Sequence, residues 1–426
     1  MKTTSFRFPL VSSLSLLSLS LAASMIGCEQ DVVLEKPDGN LSDSSLDSAV
    51  NEETSAEAGS CVVPATATYN GTNFLAGSAA ARGLNDRYNA FTQKMRDAEA
   101  SAALVPTLDE LKALFSSSGD AGAGASDAGD AGDAGAAGSD PRFATSPYYA
   151  QKIDGWIAEF AAAAGKTWSP AEPPPANGGI YGAYIFNARG VDLRQAIQNG
   201  MLGATQYYSA ASRLSSASLS VADVDYVLAL YGASPEFPMN DRPIAQEGGV
   251  TNPDVFTARY TKRRDAGDLA KPGLYQKLKR SFISLQYSFS NPGCESVRAE
   301  SIAAIKRDWE KALYATATFY LNDALKKLST NAPTPADLAA GLHSYGEAVG
   351  LIHGFRDLPP GMAHVKTAEV DELLTLLGAN PAEAITSYKL ITDSATPLAK
   401  LPVAVDRIRQ IQSFSTEEIE SFKVNR

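Results

Sequence analysis

Apolar residues recur at intervals of three and four along most of this chain, which is the spacing of amphipathic α-helices. The longest stripe consists of Ile302, Ile305, Trp309, Leu313, Thr316 and Tyr320. Shorter stripes run from Tyr149 to Phe160, from Leu193 to Tyr208, from Leu274 to Leu285 and from Leu338 to Ile352. No convincing series of alternating strands accompanies them. The pattern therefore predicts an all-α fold, arranged as a helical bundle or as paired bundles.

Residues that favour helix starts precede several of these stripes. Thr107 to Glu110 reads as a capping box, and Ser220 and Asp192 stand where N-caps are expected. Thr334 followed by Pro335 predicts another start. Two more helices are predicted to open at Asn380-Pro381-Ala-Glu383 and at Ser415-Thr-Glu-Glu418. Gly200 and Gly203 interrupt the stripe that begins at Asp192, and we expect them to let a neighbouring helix approach closely.

The first 28 residues have the layout of a bacterial lipoprotein signal. Lys2 and Arg7 form a short basic stretch, and the run from Phe8 to Ile26 is apolar and uncharged. Gly27 then precedes Cys28, so we expect cleavage before Cys28 and lipidation of its thiol. The alternative is an uncleaved transmembrane anchor, but the many serines and the Gly27-Cys28 ending favour the lipoprotein. Several acyl chains on Cys28 would hold the exported protein at the cell envelope, and we expect the outer membrane.

Composition divides the rest of the chain into segments. Residues 28–60 are rich in Ser, Asp, Glu and Ala, and this predicts a disordered tether. Asp-Ala-Gly repeats predict a flexible loop at about 116–142, because calcium-binding repeats require apolar positions that are missing here. The remaining length of 61–426 suits one large helical domain, with two smaller bundles as the alternative.

Charge argues against one class of partner, and the cysteine content predicts a cross-link. The net charge is −11, which argues against nucleic acid as a partner. The one dense basic cluster is interpreted as a solvated helix face, and it comprises Lys262, Arg263, Arg264, Lys271, Lys277, Lys279 and Arg280. Cys61 and Cys294 are expected to form a disulfide in an oxidising compartment, and the alternative is two buried free thiols. A protein or small-molecule partner has no signature in the sequence.

The three histidines His343, His353 and His364 lie in one short segment and raise the hypothesis of a metal site. If His343 and His353 share a helix, they are about 15 Å apart along its axis and cannot bind one ion. His343 and Glu347, four residues apart, are the remaining metal ligand candidates, although zinc enzymes usually employ three protein ligands. A surface pair or an internally satisfied pair is the favoured interpretation.

Other polar residues are weak candidates for ligand binding. The run Gly178 to Gly182 is interpreted as a turn between helices, with a ligand loop as the alternative. Beside it, Asn187, Arg189 and Asp192 could bind a ligand, but Asn187 and Asp192 are more typical of caps. Trp309 and Glu310 lie on the central stripe, where Glu310 is either an internal acid or, as we favour, a charge at the helix edge. No catalytic residue is assigned.

Five segments together resemble the domain of unknown function 4856 family, exported bacterial proteins grouped with imelysin-like lipoproteins. The segments are Tyr69 to Arg82, Ile185 to Ala204, Tyr226 to Gly232, Trp309 to Asn322 and His343 to Phe355. The resemblance implies a helical bundle at the bacterial envelope and a link to iron acquisition or peptide binding. Imelysins carry a Gly-x-His-x-x-Glu signature, whereas Gly341-Leu-His343-Ser-Tyr-Gly-Glu347 has one residue too many between His and Glu. The resemblance raises a metal ion, iron, as the cofactor, and this departure puts both the metal site and the peptidase activity in doubt.

These features lead to three hypotheses of function. The first is a non-enzymatic envelope lipoprotein that binds a ligand, as an accessory in iron or nutrient uptake. The second is a metal-dependent peptidase of the imelysin-like kind. The third is a structural envelope protein, which predicts a surface without a deep pocket lined by polar groups.

Overall fold

The computed structural model describes residues 61–116, 140–238, 252–265 and 272–426. They belong to one compact unit that extends from Ala56 to Arg426. The predicted signal peptide, Cys28 and the tether fall outside the described residues, as does most of the predicted loop at about 116–142. Within the described ranges, no helix has both the length and the apolar character needed to cross a bilayer.

The first half of the chain contains eight α-helices among its described residues. They are α1 (Phe74–Gly77), α2 (Ala79–Ala100), α3 (Leu108–Phe115), α4 (Pro141–Ala144), α5 (Pro147–Ala163), α6 (Leu193–Met201), α7 (Tyr208–Leu214) and α8 (Val221–Tyr231). A 3₁₀ turn covers Ala102–Leu104, and a π-helical turn over Leu202–Tyr207 joins α6 to α7. The predicted mostly helical fold is thus confirmed in this half.

The second half is also helical. Its described helices are α9 (Phe256–Arg264), α10 (Leu274–Ser290), α11 (Glu295–Leu328), α12 (Pro335–His353), α13 (Thr367–Leu376), α14 (Lys389–Thr392), α15 (Ala395–Gln412) and α16 (Thr416–Phe422). With 34 residues, α11 spans roughly 50 Å. It packs against α12, α10, α9 and α15, so the longest predicted stripe forms the centre of the core.

Several predicted helix starts are confirmed in atomic detail. Thr107, Thr334 and Ser415 each accept a bond from the backbone N–H three residues later, and each forms a capping box. Asp192 accepts from the backbone N–H of Gln195 at 3.0 Å. These bonds satisfy N–H groups that a helix leaves without partners in its first turn.

Gly350 in α12 and Gly354 just beyond it let this helix approach α6 closely, whereas Gly200 makes room for the Tyr149 hydroxyl of α5, which lies 1.7 Å from where a Cβ would be. A Cβ on Gly354, just beyond α12, would lie 2.2 Å from the Gly200 carbonyl oxygen. A Cβ on Gly350 would lie 2.7 Å from the Gln195 carbonyl oxygen. Since such contacts are too short for real atoms, only glycine allows this approach, and it places the polar side chains of both helices side by side.

One short hairpin, which the sequence pattern does not indicate, accompanies the helices. Gly179–Tyr181 (β1) and Tyr184–Phe186 (β2) form an antiparallel hairpin, with Ile180 opposite Ile185. The run from Gly178 to Gly182 was expected to be a turn between helices, but only Gly182, at φ 60°, occupies the turn. Strands this short are too brief to show an alternating pattern, which explains the error.

Two element boundaries also differ from the prediction. Asn380 does not open a helix, because its side chain accepts from the backbone N–H of Ala382 and closes an isolated turn at 2.9 Å. The chain remains non-helical until Lys389. Asp140, placed at the end of the predicted loop, instead caps α4 by accepting from the backbone of Arg142 and Phe143.

Cys61 and Cys294 form a disulfide that links the first described residue to the start of α11. The interpretation of the basic cluster as a solvated face is wrong for Arg264, which is buried. Its guanidinium donates to the carbonyl oxygens of Phe422 and Val424 at 2.8 and 3.1 Å and so holds the C-terminus. Lys271 lies outside the described residues.

Candidate functional site

Two polar regions are candidates for function. The first is a buried group of charged side chains where α6 and α12 approach each other. We call it the His343 cluster, and it consists of Glu99, Asp192, Arg194, His343 and Glu347. Glu99 comes from the end of α2, Asp192 and Arg194 from the start of α6, and the other two from successive turns of α12.

Direct hydrogen bonds join most members of the His343 cluster. The Arg194 Nε donates to Glu99 Oε2 at 2.6 Å, and both side chains are less than a tenth exposed. The His343 Nδ1 lies 2.7 Å from Asp192 Oδ2. The Gln195 amide is oriented so that its oxygen accepts from two donors, His343 Nε2 at 3.2 Å and the Arg194 guanidinium at 3.0 Å. The opposite orientation would leave both donors without an acceptor there. The imidazole thus has a partner at each nitrogen.

The hairpin covers the outer side of the histidine. The Tyr184 ring of β2 stacks on the His343 ring, with centroids 3.9 Å apart and planes 17° from parallel. The His343 side chain is only 15% exposed as a result. Tyr184, which shields the histidine, belongs to a hairpin that the sequence pattern does not predict.

Burial changes the proton affinity of the acids in the His343 cluster. Burial raises the pKa of Glu347 to about 7, against the opposing charges of His343 and Arg194. Burial also raises the pKa of Glu99, and the nearby Asp192 charge adds to it while Arg194 opposes it. Burial alone would lower the pKa of His343, but Glu347 and the Asp192 bond outweigh it and raise the pKa above its ordinary value. The raised pKa favours the protonated form of His343, whose positive charge balances part of the carboxylate charge.

The metal hypothesis for His343 and Glu347 gains little from this geometry. In the part of the chain that the structure describes, no three side chains of His, Cys, Asp or Glu are arranged to hold a metal ion. The two candidates do belong to one cluster with Asp192, but the three side chains are not arranged to share an ion. His353 is ten residues away on the same helix, where its Nε2 meets the Tyr148 hydroxyl at 2.9 Å. Burial lowers the pKa of His353 to about 3, so it stays neutral.

The other candidate residues are dispersed and serve the fold. Asn187 Oδ1 accepts from the backbone N–H groups of Arg189 and Val191, both at 3.0 Å, so it closes a turn. Arg189 is exposed, and its carbonyl oxygen accepts from Tyr388 N. The buried Trp309 donates to Thr257 Oγ1 at 3.1 Å. Of the residues proposed from the sequence for ligand binding, only Asp192 belongs to the His343 cluster.

The interpretation of Glu310 as a helix-edge charge is wrong. It is fully buried, and its carboxylate accepts from the backbone of His364 and Val365 and from the Gln412 amide at 2.6 to 3.1 Å. Burial raises its pKa, and these three bonds oppose the rise. Glu310 therefore anchors two later segments to α11 and has no free oxygen pointed at solvent for a ligand.

The second candidate region is a large open cleft that α10 and α11 line in part. Its volume is about 1180 Å³, somewhat larger than the roughly 300–1,000 Å³ that is usual for small-molecule sites. The lining comes from residues 65–71, from the loop at 235–237, from the first half of α10 and from Arg307 and Asp308 of α11. We call it the α10 cleft.

The wall of the α10 cleft formed by residues 65–71 is fixed at several points. The Gln286 amide both accepts from the backbone N–H of Asn70 and donates to its carbonyl, at 2.6 and 3.0 Å. Arg280 donates to the carbonyl oxygens of Val63 and Pro64 at 2.8 and 2.9 Å. The Tyr69 hydroxyl donates to Asp225 at 2.7 Å. With the disulfide next to it, this wall is held as a preformed surface.

Sequence reasoning missed the α10 cleft because its parts are far apart in the chain. The only signal was the basic cluster, of which Lys277, Lys279 and Arg280 line the cleft. Comparisons with protein-family models, with curated proteins and with solved structures found no match. The resemblance to imelysin-like lipoproteins therefore stays a prediction.

Proposed function

We propose that this chain is a non-enzymatic, lipid-anchored protein of the bacterial envelope that binds a small molecule in the α10 cleft. The single observation that carries the proposal is the cleft itself, with its volume of about 1180 Å³ and its mixed lining. A preformed concave surface with apolar walls and a few polar groups is the usual form of a small-molecule site. The Cys28 signal supports the envelope location.

A role in nutrient or iron uptake is the form of this proposal that the family resemblance supports. The alternative of a structural envelope protein predicts a surface without a deep pocket lined by polar groups. The α10 cleft is open, but its volume and mixed lining favour ligand binding over that alternative. The peptidase alternative depends on His343 and Glu347. Both nitrogens of His343 already have partners, and we therefore do not place the function there.

The proposal can be tested with an uncharged fluorescent probe, N-phenyl-1-naphthylamine, on residues 56–426. This unit contains the described core and the disulfide, so it is suited to expression without the first 55 residues. We expect saturable binding with a fluorescence increase. Ser281→Trp, which places an indole in the cleft, should abolish it, whereas Ser296→Trp on the exposed start of α11 should not. Absence of saturable binding, or equal binding by both variants, would refute the cleft as the ligand site.

A further inference from the structure

The charges around the α10 cleft are unusual for this chain. Four basic side chains line it, Lys277, Lys279, Arg280 and Arg307, against the acids Glu236 and Asp308. The whole protein carries a net charge of −11. A basic cleft in an acidic protein attracts anions locally and leaves the remaining surface repulsive to them.

The basic side chains differ in how far they are already engaged. Arg307 makes a two-point ion pair with Asp308 at 2.7 and 2.9 Å. Arg280 is bonded to the carbonyl groups of the cleft wall. The Lys279 ammonium lies 5.8 Å from the centroid of the Phe237 ring. Lys277 is exposed, and its ammonium forms no hydrogen bond or ion pair with any described residue. The two lysines are thus available for an incoming anion.

An apolar surface adjoins these lysines. Tyr69, Phe237 and Ile283 line the cleft and are each less than a tenth exposed as whole residues. The Tyr69 and Phe237 rings meet edge to face, with centroids 6.4 Å apart. A ligand that contacts both parts must combine an apolar body with an anionic group.

We infer that the α10 cleft binds a free organic anion with an apolar body, whose negative group pairs with Lys277 and Lys279. The body packs on Tyr69, Phe237 and Ile283. This inference rests on the proposed function and adds the chemical class of the ligand.

The test compares two probes that share an aromatic body. The anionic probe is 1-anilino-8-naphthalenesulfonate, and the uncharged one is N-phenyl-1-naphthylamine. An exposed ion pair changes affinity by a factor of up to about five, so two lysines acting together should make the sulfonate bind residues 56–426 about fivefold more tightly than the uncharged probe. Equal affinity for both probes would overturn the anion inference and leave the proposed cleft intact, whereas binding of neither would refute the cleft itself.

Substitutions of charged residues show which charges make the sulfonate probe bind more tightly than the uncharged one. Lys277→Gln combined with Lys279→Gln should weaken sulfonate binding about fivefold or more and leave the uncharged probe unchanged. Glu236→Gln, which removes an exposed acid from the rim, should strengthen sulfonate binding. Lys326→Gln on the exposed end of α11 is the matched control and should change neither. A sulfonate affinity that the double variant leaves unchanged would overturn the inference.

A second arm distinguishes a free anion from a lipid headgroup. Dodecanoate should displace the sulfonate probe, and residues 56–426 should not float with vesicles of phosphatidylglycerol. Vesicle binding that the double lysine variant abolishes would contradict a free ligand and identify an anionic lipid instead.

Discussion

The His343 cluster and the α10 cleft both collect charged residues, but their charges are used differently. In the cluster, Arg194 pairs with Glu99 and His343 with Asp192, and the hairpin shields them from water. In the cleft, Lys277 and Lys279 keep their ammonium groups for a ligand. The paired charges of the His343 cluster thus form an internal network that holds helices together. The α10 cleft instead consists of ordinary surface residues that the fold brings together from distant parts of the chain.

The largest effect that separates the two regions is expected from Arg194→Met. Removing one partner of a buried ion pair leaves the other charge unpaired, which costs about 3–5 kcal/mol of unfolding free energy. Urea denaturation at pH 8 measures the loss. The control is Arg142→Met, because the Arg142–Asp154 pair is about two-fifths exposed and should contribute no more than about 1 kcal/mol. A loss as small as the control's would show that the cluster does not hold the fold.

Loss of the disulfide should affect the cleft more than the cluster. The Cys61 and Cys294 positions are 233 residues apart, and closing so long a loop in the unfolded chain contributes roughly 2–5 kcal/mol. The double variant Cys61→Ser with Cys294→Ser should lose that stability. Because residues 65–71 follow Cys61, its affinity for the sulfonate probe should also fall several-fold. Unchanged probe affinity in the folded variant would contradict a wall that the disulfide helps to hold.

The cluster should also make stability depend on pH. The pKa of Glu347 is about 7 in the folded state, above its ordinary value, so its stabilising contribution is complete at low pH and is lost as pH rises through 7. Glu347→Gln cannot ionise. Relative to the wild type, it should therefore gain about 2–3 kcal/mol between pH 5 and pH 8. The pKa of His343 is also raised, so its contribution to wild-type stability is likewise present at low pH and lost as pH rises.

The control for that measurement is Glu236→Gln, an exposed acid at the cleft rim. Its stability difference from the wild type should stay nearly constant over the same range. The charges that face Glu347 come from Arg194 and Asp192 near the start of α6 and from His343 on α12, and Tyr320 of α11 is a hydrogen-bonding neighbour. A flat difference for Glu347→Gln would mean that the carboxyl is solvated.

The smallest effect is a contrast between two histidines on α12. His343 should titrate above the ordinary range, whereas His353, buried beside Tyr148, should remain neutral down to about pH 4. Nitrogen chemical shifts of the imidazoles measure both in one titration. Identical titration of the two rings would contradict the burial and the partners described for them.

Much of the helical framework could be predicted from sequence, because the interactions that start a helix join residues close together in the chain. The capping boxes at Thr107, Thr334 and Ser415 depend on residues three apart, so the sequence contains all of the interaction. The Asn380 error has the same origin, because a cap residue also closes isolated turns. Local patterns cannot separate these two outcomes.

Functional sites depend on contacts that local patterns do not contain. Nothing in the spacing of His343 and Glu347 indicates that Asp192 lies 151 positions earlier and bonds to the imidazole. The sequence places Glu310 at a helix edge because its partners, His364, Val365 and Gln412, are at least 54 residues away. The α10 cleft needs four separate chain segments, and for that reason it was missed.

The most direct test of the account is hydrogen–deuterium exchange of residues 56–426 with and without 1-anilino-8-naphthalenesulfonate. Binding slows exchange where it stabilises local structure. We predict that protection appears in residues 65–71, around 235–237 and in the first half of α10. Protection confined to the start of α6 and to residues 343–353 would contradict the central claim and would place ligand binding at the His343 cluster.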